Sequence, residues 1–389
     1  MKSRLKIIIS LAVIILVILL FIVAILIYRA LYDISDLTLY ENEKIQSIVK
    51  YGDQVYLVDE NGKGYILGGY SFSTKRTYLN SKVRTHEGLN MSNPVLFFDG
   101  NIRQLIPYSR MSVLIITKDN ELYAWHDFEI EKVADGVICA DINPINNEVY
   151  YINLNKELIL RQENGLEQLI LTGANKVVLY SDNAYVLLEN HKLCKFKCDE
   201  YENAQLTYCE IEGVVDFEVV DTSLRFNGKK YIFDDETAIE SPLITALCND
   251  GNLYVKGAYN LLSCHTNFAD KKPEPYIIND WTIIGENVFS FSSAPMGTVM
   301  LHNDKSCSYY GFDTCVSNES IFQQYNIPIE KIESVHASET TVCLIGQDDK
   351  IYIYGQNAFN PLLEKASNRH HLYKDSPLII STNGQTLQD

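Results

Sequence analysis

The side chains able to do chemistry are few and scattered. Among the eight histidines only His370 and His371 are adjacent. Successive residues of a strand point to opposite faces, so that pair makes a poor joint metal site and suits a solvated loop. Asp234-Asp235-Glu236 and Asp348-Asp349 bring together the carboxylates that acid–base work needs, but turn chemistry or a solvated face accounts for both. Nine cysteines are present, at 139, 194, 198, 209, 248, 264, 307, 315 and 343. Cys194-x3-Cys198 is too little for half a zinc site, since no second pair follows at zinc-finger spacing. An odd count leaves one thiol unpaired even if all the others are bridged. Several cysteines lie inside apolar strands, where a free thiol acts as a small hydrophobe. Buried free thiols are therefore expected, with bridges and a metal as the alternatives. There is no G-x-x-x-x-G-K-[ST], H-E-x-x-H or G-x-S-x-G. No catalytic, cofactor-binding or metal-ligating residue is assigned, and no cofactor is expected.

Charge narrows the partners. The 389 residues carry 50 acids and 33 bases, a formal net charge of −17. A nucleic-acid partner is not expected, because phosphate backbones need a surplus of Lys and Arg.

Among the elements, Ile7 to Tyr28 is an uncharged run of 22 residues. At a rise of about 1.5 Å per residue it spans a bilayer core of roughly 30 Å. A cleavable signal peptide is the competing reading. Its apolar region is shorter and ends in a small-x-small site, which Ile25-Leu26-Ile27-Tyr28-Arg29 does not offer. Lys2, Arg4 and Lys6 precede the run, while Asp33, Asp36, Glu41 and Glu43 follow it. This asymmetry predicts a cytoplasmic tip (1–6), a transmembrane helix (7–28), a stalk (29–40) and an extracytoplasmic remainder.

The remainder repeats. Residues 45–68 lie on 332–355 without a gap, with Ile45, Ser47, Val55, Leu57, Lys63, Ile66 and Gly68 identical to their counterparts. The same frame recurs between, with an Asp or Asn at 61, 119, 155, 190, 250, 304 and 348. Apolar residues stand three positions before each of these. Asx residues tolerate left-handed backbone and form their own turns, so they suit hairpin tips. The flanking strands are apolar on both faces, as in Val342-Cys-Leu-Ile345. Such sheets must be covered on both sides, which a closed ring of stacked sheets achieves. Seven sheets are expected. The long interval between Asn190 and Asp250 holds extra strand-like text, Val214–Val220 and Lys229–Phe233. It reads as an inserted hairpin or, alternatively, an eighth degenerate blade.

The last repeat resembles an RCC1 (regulator of chromosome condensation) repeat. It runs from Val335 to Asn357, then Asn360-Pro361-Leu362, then Ser376-Pro-Leu-Ile-Ile380. Lys256-Gly-Ala-Tyr-Asn260 with Pro275, Tyr310-Gly311 with Pro328, and Gly68-Gly69 with Pro94 are similar pieces. The resemblance covers about 41–381. It is thin over 130–200, where His126, Gln162 and Lys197 stand in place of the expected Gly. It implies an all-β, seven-bladed RCC1-like propeller over 41–381, here preceded by a single N-terminal transmembrane helix and followed by a tail (382–389). It also implies a protein-binding platform. The namesake's nucleotide exchange and chromatin binding have no motif here.

The loops after the in-phase glycines (69–93, 258–274, 312–327 and 356–376) must emerge on one side of the ring. They carry exposed-looking aromatics, Tyr70, Phe72, Tyr78, Tyr259, Phe268, Phe312 and Phe359. Such rings commonly anchor protein interfaces; otherwise they cover blade edges. The expected function is a membrane-tethered, non-enzymatic platform for an unknown protein ligand. The alternative is a cell-surface propeller that binds glycans or degrades a wall polymer.

Overall fold

The computed structural model describes residues 44–388 apart from 52–53, 69–90, 110, 127–128, 144–145, 200–204, 221–224, 227–228, 231–241, 260–275, 313–321, 339–340, 357–368, 371–376 and 382–385. Among the described residues its strands form seven antiparallel sheets of four or more strands, each built from strands consecutive in the chain save one, which a separate two-stranded hairpin interrupts. We call them blades 1 to 7. The first strands of the blades are Ile45–Tyr51, Ile102–Ser109, Val137–Asn143, Ala174–Tyr180, Val214–Val220, Val288–Ala294 and Ile332–Ser338. Each touches the first strand of the next blade, and the last touches the first. They form the inner wall of a closed ring: a seven-bladed β-propeller, as the repeat frame implied. The apolar run 7–28 lies outside the described residues, and among the described residues no helix is long and apolar enough to cross a membrane.

Burial explains why the ring must close. The second strands Gln54–Asp59, Ser112–Thr117 and Thr341–Gly346 are buried along their whole length. Both faces of each therefore need a neighbour. One apolar cluster fills every junction between blades. At the closing junction Ile45, Ile48, Val55, Leu57 and Tyr65 of blade 1 pack on Cys343, Ile345, Ile351 and Ile353 of blade 7. Full burial of a large aliphatic side chain contributes about 1.5–3 kcal/mol, and an open side would forfeit that contribution for every residue of its cluster.

The seven Asx positions all fall between the second and third strands of their blades. The left-handed residue, however, is the one after the Asx: Gly62, Asn120, Lys156, His191, Gly251, Lys305 and Asp349. The Asx side chain has a different task. Asn190, Asp250 and Asp304 each accept, through Oδ1, the N–H two residues on, at 3.2, 2.9 and 3.0 Å. The left-handed residue then bonds the next blade. The carbonyls of Gly62, Asn120, Lys156, His191, Gly251 and Lys305 accept the N–H of Ile102, Val137, Ala174, Val214, Val288 and Ile332, at 2.7–3.2 Å. At the closing junction Lys44 Nζ meets Asp349 Oδ1 at 2.5 Å. These turns define one face of the disc, the turn face; the opposite face carries the long connections.

Of the strand-like insert, Val214–Val220 is the inner strand of blade 5, and Arg225–Phe226 pairs with Lys229–Lys230 as a small hairpin before the blade resumes at Leu243. The insert is a hairpin and not an eighth blade. At the far end, Thr386–Gln388 pairs with Leu378–Ser381, so the sheet of blade 7 runs on into the expected tail.

The in-phase glycines have a steric cause. A Cβ on Gly257, at φ +115°, falls 2.2 Å from the Pro242 carbonyl oxygen, and one on Gly311 falls 2.4 Å from the Met296 carbonyl oxygen. The facing strand is too close for a side chain. Blade 2 has His126 at this register and bonds it to Ser112, Nδ1 to Oγ at 2.5 Å.

Candidate functional site: an aromatic and basic cleft between blades 4 and 5

The loop aromatics divide. Tyr70, Phe72, Tyr78, Phe268 and Phe359 lie outside the described residues. Tyr259 and Phe312 do not have the expected exposure; they are 0% and 5% exposed. Both end third strands and turn inward onto Phe322, with ring centroids 5.3 and 5.0 Å away. Tyr276 stacks on the same ring at 3.8 Å. The Tyr259 hydroxyl meets Thr298 Oγ1 at 2.8 Å, and burial pushes its pKa well up. Together they seal the outer edge of the junction between blades 5 and 6; Tyr259 and Phe312 form no part of a surface, and Tyr276 covers them from outside.

The titratable side chains that do converge lie on the inner strands, and they join blades. Take the first residue of each inner strand as position 1. At four of the seven junctions a polar side chain at position 5 accepts the backbone N–H at position 6 of the next blade; in blades 2 and 4 position 5 is the apolar Ile106 and Val178. Asp141 Oδ2 takes Leu179 N–H at 2.7 Å, Glu218 Oε2 takes Ser293 N–H at 2.6 Å and Ser292 Oγ takes Ala337 N–H at 3.1 Å. Across the closing junction His336 Nε2 takes Lys50 N–H at 3.1 Å. Buried amides need such partners. At the junction of blades 1 and 2, position 5 is the apolar Val49 and position 6 is Pro107, which has no N–H.

Burial sets the protonation of these groups. It pushes Asp141 up to about 6 and Glu218 up to about 7, and the nearby Lys176 ammonium opposes both shifts only in part. It pushes His336 down to about 4, with the Lys50 charge acting the same way. A neutral His336 with a lone pair on Nε2 is the state that accepts the Lys50 amide. Lys176 itself reaches across to Asp216 Oδ1 at 2.7 Å. At the loop face the axis opens into a cavity of about 150 Å³ lined by Lys50, Tyr51, Val220, Ser293, Ala294, Pro295, Ala337 and Ser338.

The larger opening lies between blades 4 and 5 and is about 720 Å³. Tyr180, Asn183, Tyr185, Lys195, Tyr208, Cys209 and Glu210 of blade 4 face Pro242, Ile244, Lys256, Ala258, Ile277, Ile278, Asn279 and Trp281 of blade 5. Its lining runs from strand ends away from the Asx turns, at Tyr180, Asn183, Ile244 and Ala258, to Tyr208 and Cys209, which pair with Cys194 and Leu193 beside the Asn190 turn. Blade 4 ends in an outer strand of only two residues, Thr207–Tyr208, where blades 2, 3 and 6 have six. Tyr208 is 55% exposed and Ile277 53%. Lys195 Nζ stands 6.0 Å from the Tyr185 ring and Lys192 Nζ 5.7 Å from the Tyr208 ring. Sequence reasoning missed this site. Its lining is drawn from two blades and a hundred residues of chain, with no local motif.

The other candidates resolve simply. Asp348 is turn chemistry, holding Lys350 Nζ and the Tyr352 hydroxyl at 2.8 Å each. Asp234-Asp235-Glu236 and His371 lie outside the described residues, and His370 lies in a short strand paired to Gly355. Cys139, Cys194, Cys198, Cys248, Cys307 and Cys343 are free and buried, as expected of small hydrophobes, and Cys209 is free and half-buried. Burial pushes these thiols up, to about 12 for Cys343. Among the described residues no three His, Cys, Asp or Glu side chains stand together as a metal site would need.

No family model matches the chain, and no curated protein matches it. Solved structures resemble it weakly. Prp20p of Saccharomyces cerevisiae, studied with its binding to Gsp1p and histones, is 12% identical with a TM-score of 0.45 over 76% of this chain and 80% of that one. Yeast RCC1 (Prp20) bound to Kap60 is 12% identical with a TM-score of 0.41, over 89% and 75%. The computationally designed Ika8 protein is 10% identical with a TM-score of 0.42, over 89% and 96%. At these scores nothing about mechanism or partner transfers; the propeller rests on the blade pairing itself.

Proposed function

We propose that this chain is a membrane-tethered propeller of RCC1-repeat type that stands outside the cytoplasm and recognises a partner protein. The tether rests on the uncharged run 7–28 and the basic residues before it. The acid surplus of the rest suits an extracytoplasmic surface and disfavours anionic lipid and nucleic acid. The recognition reading is carried by one observation, the cleft between blades 4 and 5. It is concave, walled by Tyr180, Tyr185, Tyr208 and Trp281, and holds exposed apolar surface at Ile277. Tyr and Trp in a partly dry recess are the usual anchors of protein interfaces.

Two measurements on the full-length chain test this. A photo-crosslinking amino acid at position 208, in native membranes, is expected to capture one discrete protein. The same group at position 169, exposed on the outer strand of blade 3, is expected to capture none. Equal capture at both positions contradicts the reading. For topology, a cysteine replacing the exposed Leu166 is expected to react with a membrane-impermeant maleimide on intact cells. Labelling only after permeabilisation overturns the extracytoplasmic placement.

A further inference from the structure

We infer that the cleft between blades 4 and 5 takes an acidic segment of the partner protein, one in which carboxylates alternate with aliphatic or aromatic side chains. The inference rests on the recognition reading above and names the chemistry of what is recognised.

The first observation is charge. Lys195 and Lys256 line the cleft against one carboxylate, Glu210. Neither lysine has a carboxylate partner among the described residues, and both stand in one recess, whereas Lys44, Lys132, Arg161, Lys176 and Lys350 are paired. The chain holds 50 acids to 33 bases, so a recess with surplus positive charge runs against its composition. Lys192, outside the lining, stands over the Tyr208 ring from the Asn190 turn. A low-dielectric wall concentrates the field of such charges on whatever enters.

The second observation is the wall itself. Pro242, Ile244, Ala258, Ile277 and Ile278 make it substantially aliphatic on the blade 5 side. A sugar site would need a ring of hydroxyl-bonding groups beside its aromatic platform. Here Asn183, Asn279 and Glu210 are the amide and carboxylate side chains in the lining. Aliphatic wall, aromatic platform and free ammonium groups together fit a peptide whose acidic residues alternate with apolar ones. In an extended peptide such alternation sends the two kinds of side chain to opposite sides.

The test uses the full-length chain in detergent micelles and a fluorescein-labelled octapeptide of alternating Glu and Leu or Phe, read by anisotropy. Binding is expected, weakened by salt, and weakened about tenfold or more in Lys195→Glu/Lys256→Glu. The control Lys63→Glu/Lys118→Glu, on the turn face, is expected to bind as the parent does. Cys209, half-buried in the lining, supplies a readout without any variant. The acidic peptide is expected to slow its alkylation by iodoacetamide, and the same peptide with Lys for Glu is not. Equal binding of the Lys peptide, unchanged binding in the double variant, or stronger displacement by trigalacturonate than by unlabelled peptide would each overturn the inference. A protein adduct at position 208 that persists in the double variant would keep the recognition reading and sink the acidic segment alone.

Discussion

Single residues in this molecule are chosen by where backbone N–H groups must find acceptors. Asp141, Glu218, Ser292 and His336 share one position of their inner strands, and each takes an amide from the next blade. The sequence signal was present, since these polar residues share one register once the inner strands are aligned. It passed unread because each looks, in its own strand, like a stray polar residue. Tyr259 and Phe312 show the opposite failure. Proximity to a loop suggested exposure, but the strand direction at its last residues turns both rings into a junction. The titrating acceptors give opposed pH effects. Glu218 and Asp141 are pushed above their ordinary values, so the folded chain holds protons the unfolded chain has lost. Their favourable contribution is complete below about pH 4 and declines as pH rises through 6 to 7. His336 is pushed down to about 4. Its contribution is complete above the ordinary histidine value and is lost as pH falls through about 4. Glu218→Gln keeps an acceptor oxygen and removes the charge. Its urea midpoint relative to the parent is therefore expected to be more favourable at pH 8 than at pH 5. An offset that does not change with pH contradicts the buried, proton-holding carboxylate.

At the scale of the element, the unit is a four-stranded blade whose second-to-third turn also bonds the next blade. The Asx frame was legible because an Asp or Asn stands at one position of this turn seven times. The left-handed residue behind it was not legible, since Gly, Asn, Lys, His and Asp all fill that place. What the sequence could not show was which carbonyl the conformation frees, and that carbonyl is what links neighbouring blades. The junction of blades 1 and 2 tests the accounting of inner-strand amides. Pro107→Ala restores an N–H opposite Val49; both positions are half-buried, so an amide left without an acceptor there costs about 1 kcal/mol, the low end of the buried range. Pro107→Ala is expected to lower stability by that order, and Val49→Asn in the same chain to recover part of the loss. Additive losses in the double variant, measured by urea denaturation, would show that the two positions do not face each other.

At the scale of the whole molecule, closure was legible in the two-sided apolar strands, because a sheet buried on both faces has no exposed side to end a stack. The cleft was illegible at this scale. It exists only where a two-residue outer strand of one blade meets the long outer strand of the next. Closure itself joins the two ends of the ring without a shared strand among the described residues. The apolar cluster, the His336 acceptor and the Lys44–Asp349 pair hold it instead. The most direct test is zero-length carbodiimide cross-linking of the full-length chain followed by peptide mass spectrometry. An amide between Lys44 and Asp349 is expected in the folded chain, alongside Lys176–Asp216 and Lys132–Glu121, and is expected to vanish in urea. Finding the two internal links while the Lys44–Asp349 link is missing would mean that blades 1 and 7 do not meet, and the closed ring would be wrong.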